Sequence, residues 1–228
     1  MAIEPINFVV FLMGPTASGK TELAIEISKH INSKLISVDS ALIYRGMDIG
    51  TAKPSKEILT AHPHELVDIC EPEDSFSVTE FISLAKEHIK SALAEGKLPI
   101  LVGGTSFYFN ALEHGLSELP SSTDESRKHF NDLLKSEGSA KLHSKLAEID
   151  PKSAARIHSN DSQRVTRALE VFHLSGETLS KLQGKKNQNK LDLSIKKIVL
   201  MPDRAMLHQR IEQRFIKMIK DGFLNEVE

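Results

Sequence analysis

The sequence predicts an α/β fold: a parallel sheet flanked by helices, with an inserted helical domain. Three observations predict it. Short apolar runs alternate with helix-period segments through the first hundred residues. A glycine-rich turn joins the first run to the first helix. Strand signals stop near Leu112 and return only near Leu193. Phe8–Met13 is a continuous apolar run, as expected of a strand buried on both faces. Thr21–His30 carries apolar residues at helical spacing, and Lys34–Val38 is a second short strand. Ser77–Glu95 reads as a long amphipathic helix closed by Gly96, and Pro99–Val102 as a third buried strand before Gly103-Gly104. That order of elements implies parallel pairing with crossover helices. Beyond Leu112 come the helices Asp124–Ser136, Ala140–Ile149 and Ser162–Leu174, then a strand at Leu193–Leu200 and a helix at Arg204–Lys220. The expected division is a core of residues 1–112 and 191–228 around a helical insert of 113–190, with Gly184–Lys190 a polar basic loop.

Composition narrows the class. The chain has 228 residues, enough to bury a sizeable core without metals or disulfides. A single cysteine, Cys70, excludes a disulfide framework and a thiolate zinc site; it is expected to be a buried small residue. His62 and His64 lack the further spacing a metal site needs. The longest N-terminal apolar run has six residues, Phe8–Met13, whereas a membrane helix needs roughly 20. A cytoplasmic protein without a membrane anchor is expected. The net charge of −2 is unevenly spread. Residues 1–163 sum to −7, residues 164–220 to +8 and residues 221–228 to −3. The basic stretch suggests a face for a polyanion; two solvated helix faces are the plainer alternative.

Gly14-Pro15-Thr16-Ala17-Ser18-Gly19-Lys20-Thr21 fits G-x-x-x-x-G-K-[ST], with a strand before it and a helix after it. Its backbone N–H groups and the positive helix end form a cradle for phosphate oxygens. Lys20 adds a charge on the terminal phosphate, and Thr21 is placed to hold Mg²⁺. The fold class is therefore phosphate-loop NTPase-like. A nucleotide hydrolase also needs an acid at the end of a core strand, yet Pro99–Val102 runs into Gly103-Gly104-Thr105. Asp39 ends the second strand instead, where it is a candidate base beside an acceptor or a turn cap. The following Asp39–Pro54 segment, with Tyr44, Arg45, Asp48 and Lys53, has the length of a substrate-binding loop.

Five ordered runs carry a resemblance. GPTASGKT (Gly14–Thr21), DSALIYRGMDIGTAKP (Asp39–Pro54), VGGTSFYFNAL (Val102–Leu112), DSQRVTRALEVF (Asp161–Phe172) and HQRIEQRF (His208–Phe215) together resemble the bacterial tRNA dimethylallyltransferase, or tRNA isopentenyltransferase, family. The resemblance implies transfer of a dimethylallyl group from dimethylallyl pyrophosphate to the exocyclic amine of the adenosine 3′ of the anticodon. It assigns the donor pyrophosphate to Gly14–Thr21 and Arg214, and proton acceptance from the amine to Asp39. It assigns tRNA contacts to Asp39, Ser40, Ala41, Leu42, Thr105, Arg127, Gln163, Arg164, Val165, Thr166 and Arg167. Thr105 could equally cap the helix that starts at Ser106, and Arg164 and Arg167 could pair with Asp161 or Glu170 on their own helix. Phe76, Phe81, Phe107, Tyr108 and Phe109 are expected mostly in the core, with one aromatic of Ser106–Asn110 a candidate for the prenyl pocket. The implied partners are the tRNA anticodon stem-loop and dimethylallyl pyrophosphate, the implied cofactor Mg²⁺, and the implied state a monomer. Family members are longer, and neither a loop nor a cap is evident after Gly222-Phe223, so a C-terminally shortened member is expected. The competing readings are a phosphate-loop kinase of a nucleoside or small metabolite, resting on Gly14–Thr21 and Asp39, and a non-catalytic RNA-binding module, resting on the basic stretch alone.

Overall fold

The computed structural model describes residues 6–184 and 190–228. Most of the Gly184–Lys190 stretch expected as a loop lies outside them. The described residues divide into two compact units, one within Met1–Gly115 and Asn189–Glu228, the other within Leu116–Gln188.

The first unit is built on five parallel strands: β1 (Phe8–Met13), β2 (Ser33–Val38), β3 (His64–Glu65), β4 (Leu98–Gly103) and β5 (Ser194–Val199), in the order β3-β2-β4-β1-β5. Its helices are α1 (Lys20–His30), α2 (Lys56–Ala61), α3 (Val78–Ala94) and α4 (Ser106–His114), with α10 (Arg204–Lys220) and α11 (Phe223–Val227) after β5. The second unit holds α5 (Asp124–Glu137), α6 (Ser139–Ile149), α7 (Pro151–Ala154), α8 (Ser162–Ser175) and α9 (Leu179–Gln183).

Strand alternation sends side chains to both faces of the sheet. Val10, Leu12, Leu35, Ile100 and Val102 pack with Ala24 of α1, and Leu23 and Ile27 close over them. Phe11 turns to the opposite face, where its ring meets Phe109 of α4 at 5.0 Å, while Phe81 of α3 stacks on Tyr108 at 4.3 Å. Each such fully buried side chain contributes roughly 1.5–3 kcal/mol over exposure. The start of α3 is fixed locally by a capping box, in which the Ser77 hydroxyl accepts the Glu80 amide and the Glu80 carboxylate accepts the Ser77 amide. β5 is an edge strand with an exposed burial pattern, and Lys196 and Lys197 at its middle discourage a further strand from pairing.

Register positions the site. Met13 of β1 lies level with Gly103 of β4, and Gly103 level with Val38 of β2. The carboxyl ends of the three central strands therefore finish in one row. The chain leaves β1 past β4 to reach β2, so the connections from neighbouring β1 and β4 diverge, which opens a crevice at that end of the sheet. Gly103 permits the close approach there: a Cβ on it would lie 1.9 Å from the Val38 carbonyl oxygen.

The second unit has its own core of Phe130, Leu142, Leu146, Val165, Leu169 and Val171 from α5, α6 and α8. Thr123 and Ser126 cap α5 reciprocally, and Asp161 caps α8 through the Arg164 amide. Glu170 is buried among these helices. Its carboxylate accepts from the Ser122 hydroxyl at 2.8 Å, the Ser126 hydroxyl at 2.5 Å and Arg167 at 2.5 Å.

The aromatic and cysteine expectations need correction at two positions. Phe107 is 58% exposed, because Tyr108 and Phe109 occupy the inward face of α4. Cys70 is half-buried, since its strand-like bridge to Tyr44 lies beside the sheet and not within it. The chain also continues past Gly222 as α11, where neither a loop nor a cap was expected.

Candidate functional site

A cleft of about 630 Å³ opens at the carboxyl ends of β1, β2 and β4. It is lined by Thr16 to Glu22, by Asp39 and Leu42, by Thr51, Ala52 and Pro54, by Val102 to Gly104, and by Arg210 and Arg214. The loop between β1 and α1 alternates in backbone hand, with left-handed angles at Ala17 (φ 62°) and Gly19 (φ 89°). That alternation turns successive N–H groups to one side, as in an anion nest. No side chain caps α1, so the amides of its first turn remain donors toward the cleft.

Lys20 folds its ammonium back over the loop and donates to the Pro15 carbonyl at 2.7 Å and the Ser18 hydroxyl at 3.3 Å. Burial lowers its pKa from the ordinary lysine value, Asp39 opposes that, and Arg214 adds to the lowering. Arg214 donates to the Thr51 carbonyl at 3.0 Å. Burial lowers its pKa too, against the attraction of Asp39 and Glu22. Arg210 stands one turn earlier on α10, so both guanidiniums reach the cleft from one helix face. A group of three cations, two of them partly desolvated and Arg210 exposed, is suited to a multiply charged phosphate.

Asp39 stands at the carboxyl end of β2. Its Oδ1 accepts the amides of Ala41 at 2.9 Å and Leu42 at 3.4 Å, which holds the carboxylate in an Asx turn. Oδ2 has no hydrogen-bond partner among the described residues. The turn reading and a site in the cleft thus hold together. Thr105 does not cap α4 with its side chain; its hydroxyl accepts the Ser40 amide at 3.2 Å, tying the end of β4 to the Asp39 turn.

Of the remaining sequence candidates, Ser40 and Ala41 belong to that turn but do not line the cleft, and neither do Gly14 and Pro15. Arg127, Gln163, Arg164, Val165, Thr166 and Arg167 lie in the second unit. Arg127 and Gln163 are exposed. Arg164 is exposed and paired with Asp161. Val165 is 0% exposed, as a core residue of α8. Arg167 donates to the Ser122 hydroxyl, the Glu170 carboxylate and the Pro120 carbonyl, which includes the pairing on its own helix given above as the alternative. Thr166 donates its hydroxyl to the Ser162 carbonyl.

Sequence reasoning passed over Arg210, whose spacing of four from Arg214 was a usable signal. It also passed over Thr51, Ala52 and Pro54 as lining residues, although the loop that carries them was singled out. Lys53 of that loop is not a ligand group. Its ammonium is buried between Asp48 at 2.6 Å and Asp68 at 2.5 Å and also donates to the Tyr44 carbonyl. Burial lowers its pKa, but those carboxylates outweigh it and the net shift is upward.

Fold and cleft define a phosphate-loop α/β protein with its cleft acid at the end of β2 and none at the end of β4. Comparison makes that class specific. A family profile described as "IPP transferase" matches residues 42–228, and the chain belongs to that family. It is 62% identical over 227 residues to the tRNA dimethylallyltransferase of Ruthia magnifica subsp. Calyptogena magnifica, covering all of this chain and 74% of that relative. Among solved structures it is similar to the full-length tRNA isopentenylpyrophosphate transferase from Bacillus halodurans, at 38% identity and a TM-score of 0.64, covering 97% of this chain and 69% of the other. A eukaryotic dimethylallyltransferase acting on tRNA is similar at 26% identity and a TM-score of 0.75, over 97% of this chain and 55% of that one. Among the described residues no helix is long and apolar enough to cross a membrane.

Proposed function

We infer that this chain prenylates tRNA: it moves a dimethylallyl group from dimethylallyl pyrophosphate to the exocyclic amine of the adenosine 3′ of the anticodon. The observation that carries the mechanism is Asp39 in one cleft with the phosphate loop, Lys20 and Arg214, and no acid after β4. A donor pyrophosphate in the loop places its charge against the α1 amides, Lys20, Arg210 and Arg214. As the allylic C–O bond breaks, its electron pair passes to the leaving oxygen, and these groups stabilise the growing charge. As the amine forms its bond to the allylic carbon, its proton passes to Oδ2 of Asp39. The Asx turn fixes the carboxylate so that it need not reorganise.

The residues present suit a divalent cation bound mainly through the donor. Among the described residues no group of three His, Cys, Asp or Glu could hold a metal alone. Thr21 lines the cleft, and Mg²⁺ characteristically takes one or two protein oxygens with substrate phosphates and water. Bound there, Mg²⁺ would neutralise charge on the pyrophosphate. Arg127, Gln163 and Arg164 offer phosphate and base-edge donors for the anticodon stem-loop. A monomer and a cytoplasmic setting complete this reading.

Incubating the protein with dimethylallyl pyrophosphate labelled in the prenyl group, Mg²⁺ and unmodified tRNA should transfer label to one anticodon-loop adenosine. Transfer of the ATP γ-phosphate to a small acceptor, without prenyl transfer, would sink the reading in favour of a kinase.

A further inference from the structure

We propose that Glu226, aided by Phe223, is a positioning residue for the donor cleft. It rests on the pyrophosphate reading above. Three successive backbone amides converge on the Glu226 carboxylate. Asp48 donates to Oε2 at 2.8 Å, Ile49 to Oε2 at 2.6 Å and Gly50 to Oε1 at 2.8 Å. The amides belong to a turn closed by Lys53 N–H to the Asp48 carbonyl and Ala52 N–H to the Ile49 carbonyl, both at 2.9 Å. Beside it the Phe223 ring rests on Gly50: a Cβ there would meet its Cε2 at 2.2 Å. Burial pushes the Glu226 carboxyl up, but the three amides outweigh it and hold it below the usual carboxylate value.

The consequence lies one residue on. Thr51, Ala52 and Pro54 line the cleft, and the Thr51 carbonyl accepts Arg214. A loop held at Asp48–Gly50 presents that carbonyl at a fixed place, and the carbonyl aims the guanidinium. Without the carboxylate, three amides that face one another lose their common acceptor, and charge-assisted bonds of this kind are about twice as strong as neutral ones. Lys53 anchors the far end of the turn through Asp68, so the loop is held at both ends and Glu226 controls the end nearer Arg214. α11 thus acts on the cleft through backbone and Arg214, touching neither donor nor acceptor.

The test compares the full chain with Glu226→Ala, Glu226→Gln and Gly50→Ala. Hydrogen–deuterium exchange over residues 47–53 reads the clamp, and calorimetric titration with inorganic pyrophosphate reads its effect. Glu226→Ala should release the protected amides of this turn and weaken pyrophosphate about tenfold, with Glu226→Gln intermediate. Gly50→Ala, which displaces Phe223 but keeps the carboxylate, should reproduce the loss. In an Arg214→Ala background Glu226→Ala should cost less than about twofold further, because the two residues act in series. Unchanged exchange in Glu226→Ala, or the same tenfold loss in both backgrounds, overturns the proposal. If the unsubstituted chain takes no pyrophosphate, the donor reading fails, and exchange alone still decides whether Glu226 clamps the loop.

Discussion

Asp39 uses one carboxylate oxygen for structure, and the geometry leaves the other to chemistry. Asp39→Ala should lower the rate of prenyl transfer about 10²–10⁴-fold while changing pyrophosphate affinity little, the signature of a proton acceptor. A large loss of donor affinity would show that Asp39 has another task. Lys20 predicts a pH dependence. Its pKa is lowered by burial, so the ammonium is lost as pH rises through a value below the ordinary 10.5. Pyrophosphate affinity should therefore fall on the alkaline side earlier than a free lysine would dictate. Lys20→Arg, which stays charged, should abolish that limb in a titration series even if its overall affinity is lower.

Elements carry the next level of specification. Gly103→Ala would drive a Cβ into the β2 backbone just before Asp39. Overpacking of that kind costs typically 1–3 kcal/mol, and here the neighbour is backbone, so a loss at the upper end is expected in thermal melts. In the second unit, Glu170 joins α5 and α8 and the Pro120–Ser122 segment. Burial raises its pKa, but Ser126, Arg167 and Ser122 outweigh that and the net direction is down. Its contribution is therefore present above the ordinary carboxylate value of 4.5 and lost as pH falls through the lower folded-state value. Glu170→Ala should cost about 2–3 kcal/mol in urea unfolding at neutral pH, since it strands Arg167, and the deficit should shrink in acid. Long elements were legible because an eleven- to seventeen-residue helix repeats its apolar face several times: α1, α3, α5, α6, α8 and α10 were all visible within a residue or two. The two-residue β3 and the four- to six-residue α2, α7, α9 and α11 were not, because they are shorter than two helical turns or no longer than one strand period and owe their form to what surrounds them.

Across the molecule, the uneven charge acquires a more local meaning. The stretch of +8 spans both units, and part of it is spoken for: Arg167, Lys181, Lys197 and Lys217 each pair with a carboxylate. Arg214 faces the cleft. The salt dependence of tRNA binding should accordingly be gentler than +8 suggests, with a log–log slope of about −0.7 for each single-strand phosphate contact. Arg127→Ala and Arg164→Ala should each reduce the slope by about 0.7 in filter binding across a salt series. Arg167→Ala should instead show first as lost stability.

By itself the sequence determined the strand–loop–helix phosphate cradle, the acid ending β2, the absence of one after β4, and the family. These are written in contiguous residues, where backbone angles, helix periodicity and short-range hydrogen bonds decide the outcome. Tertiary structure decided that Met13, Val38 and Gly103 finish level, that Arg210 joins Arg214, that Arg167 and Val165 are withdrawn into their own unit, and that Glu226 holds a loop 176 residues earlier in the chain. The physical reason is plainest at Glu226. Its partners are backbone amides, which nearly every residue possesses, so no side-chain pattern marks them until the chain has folded.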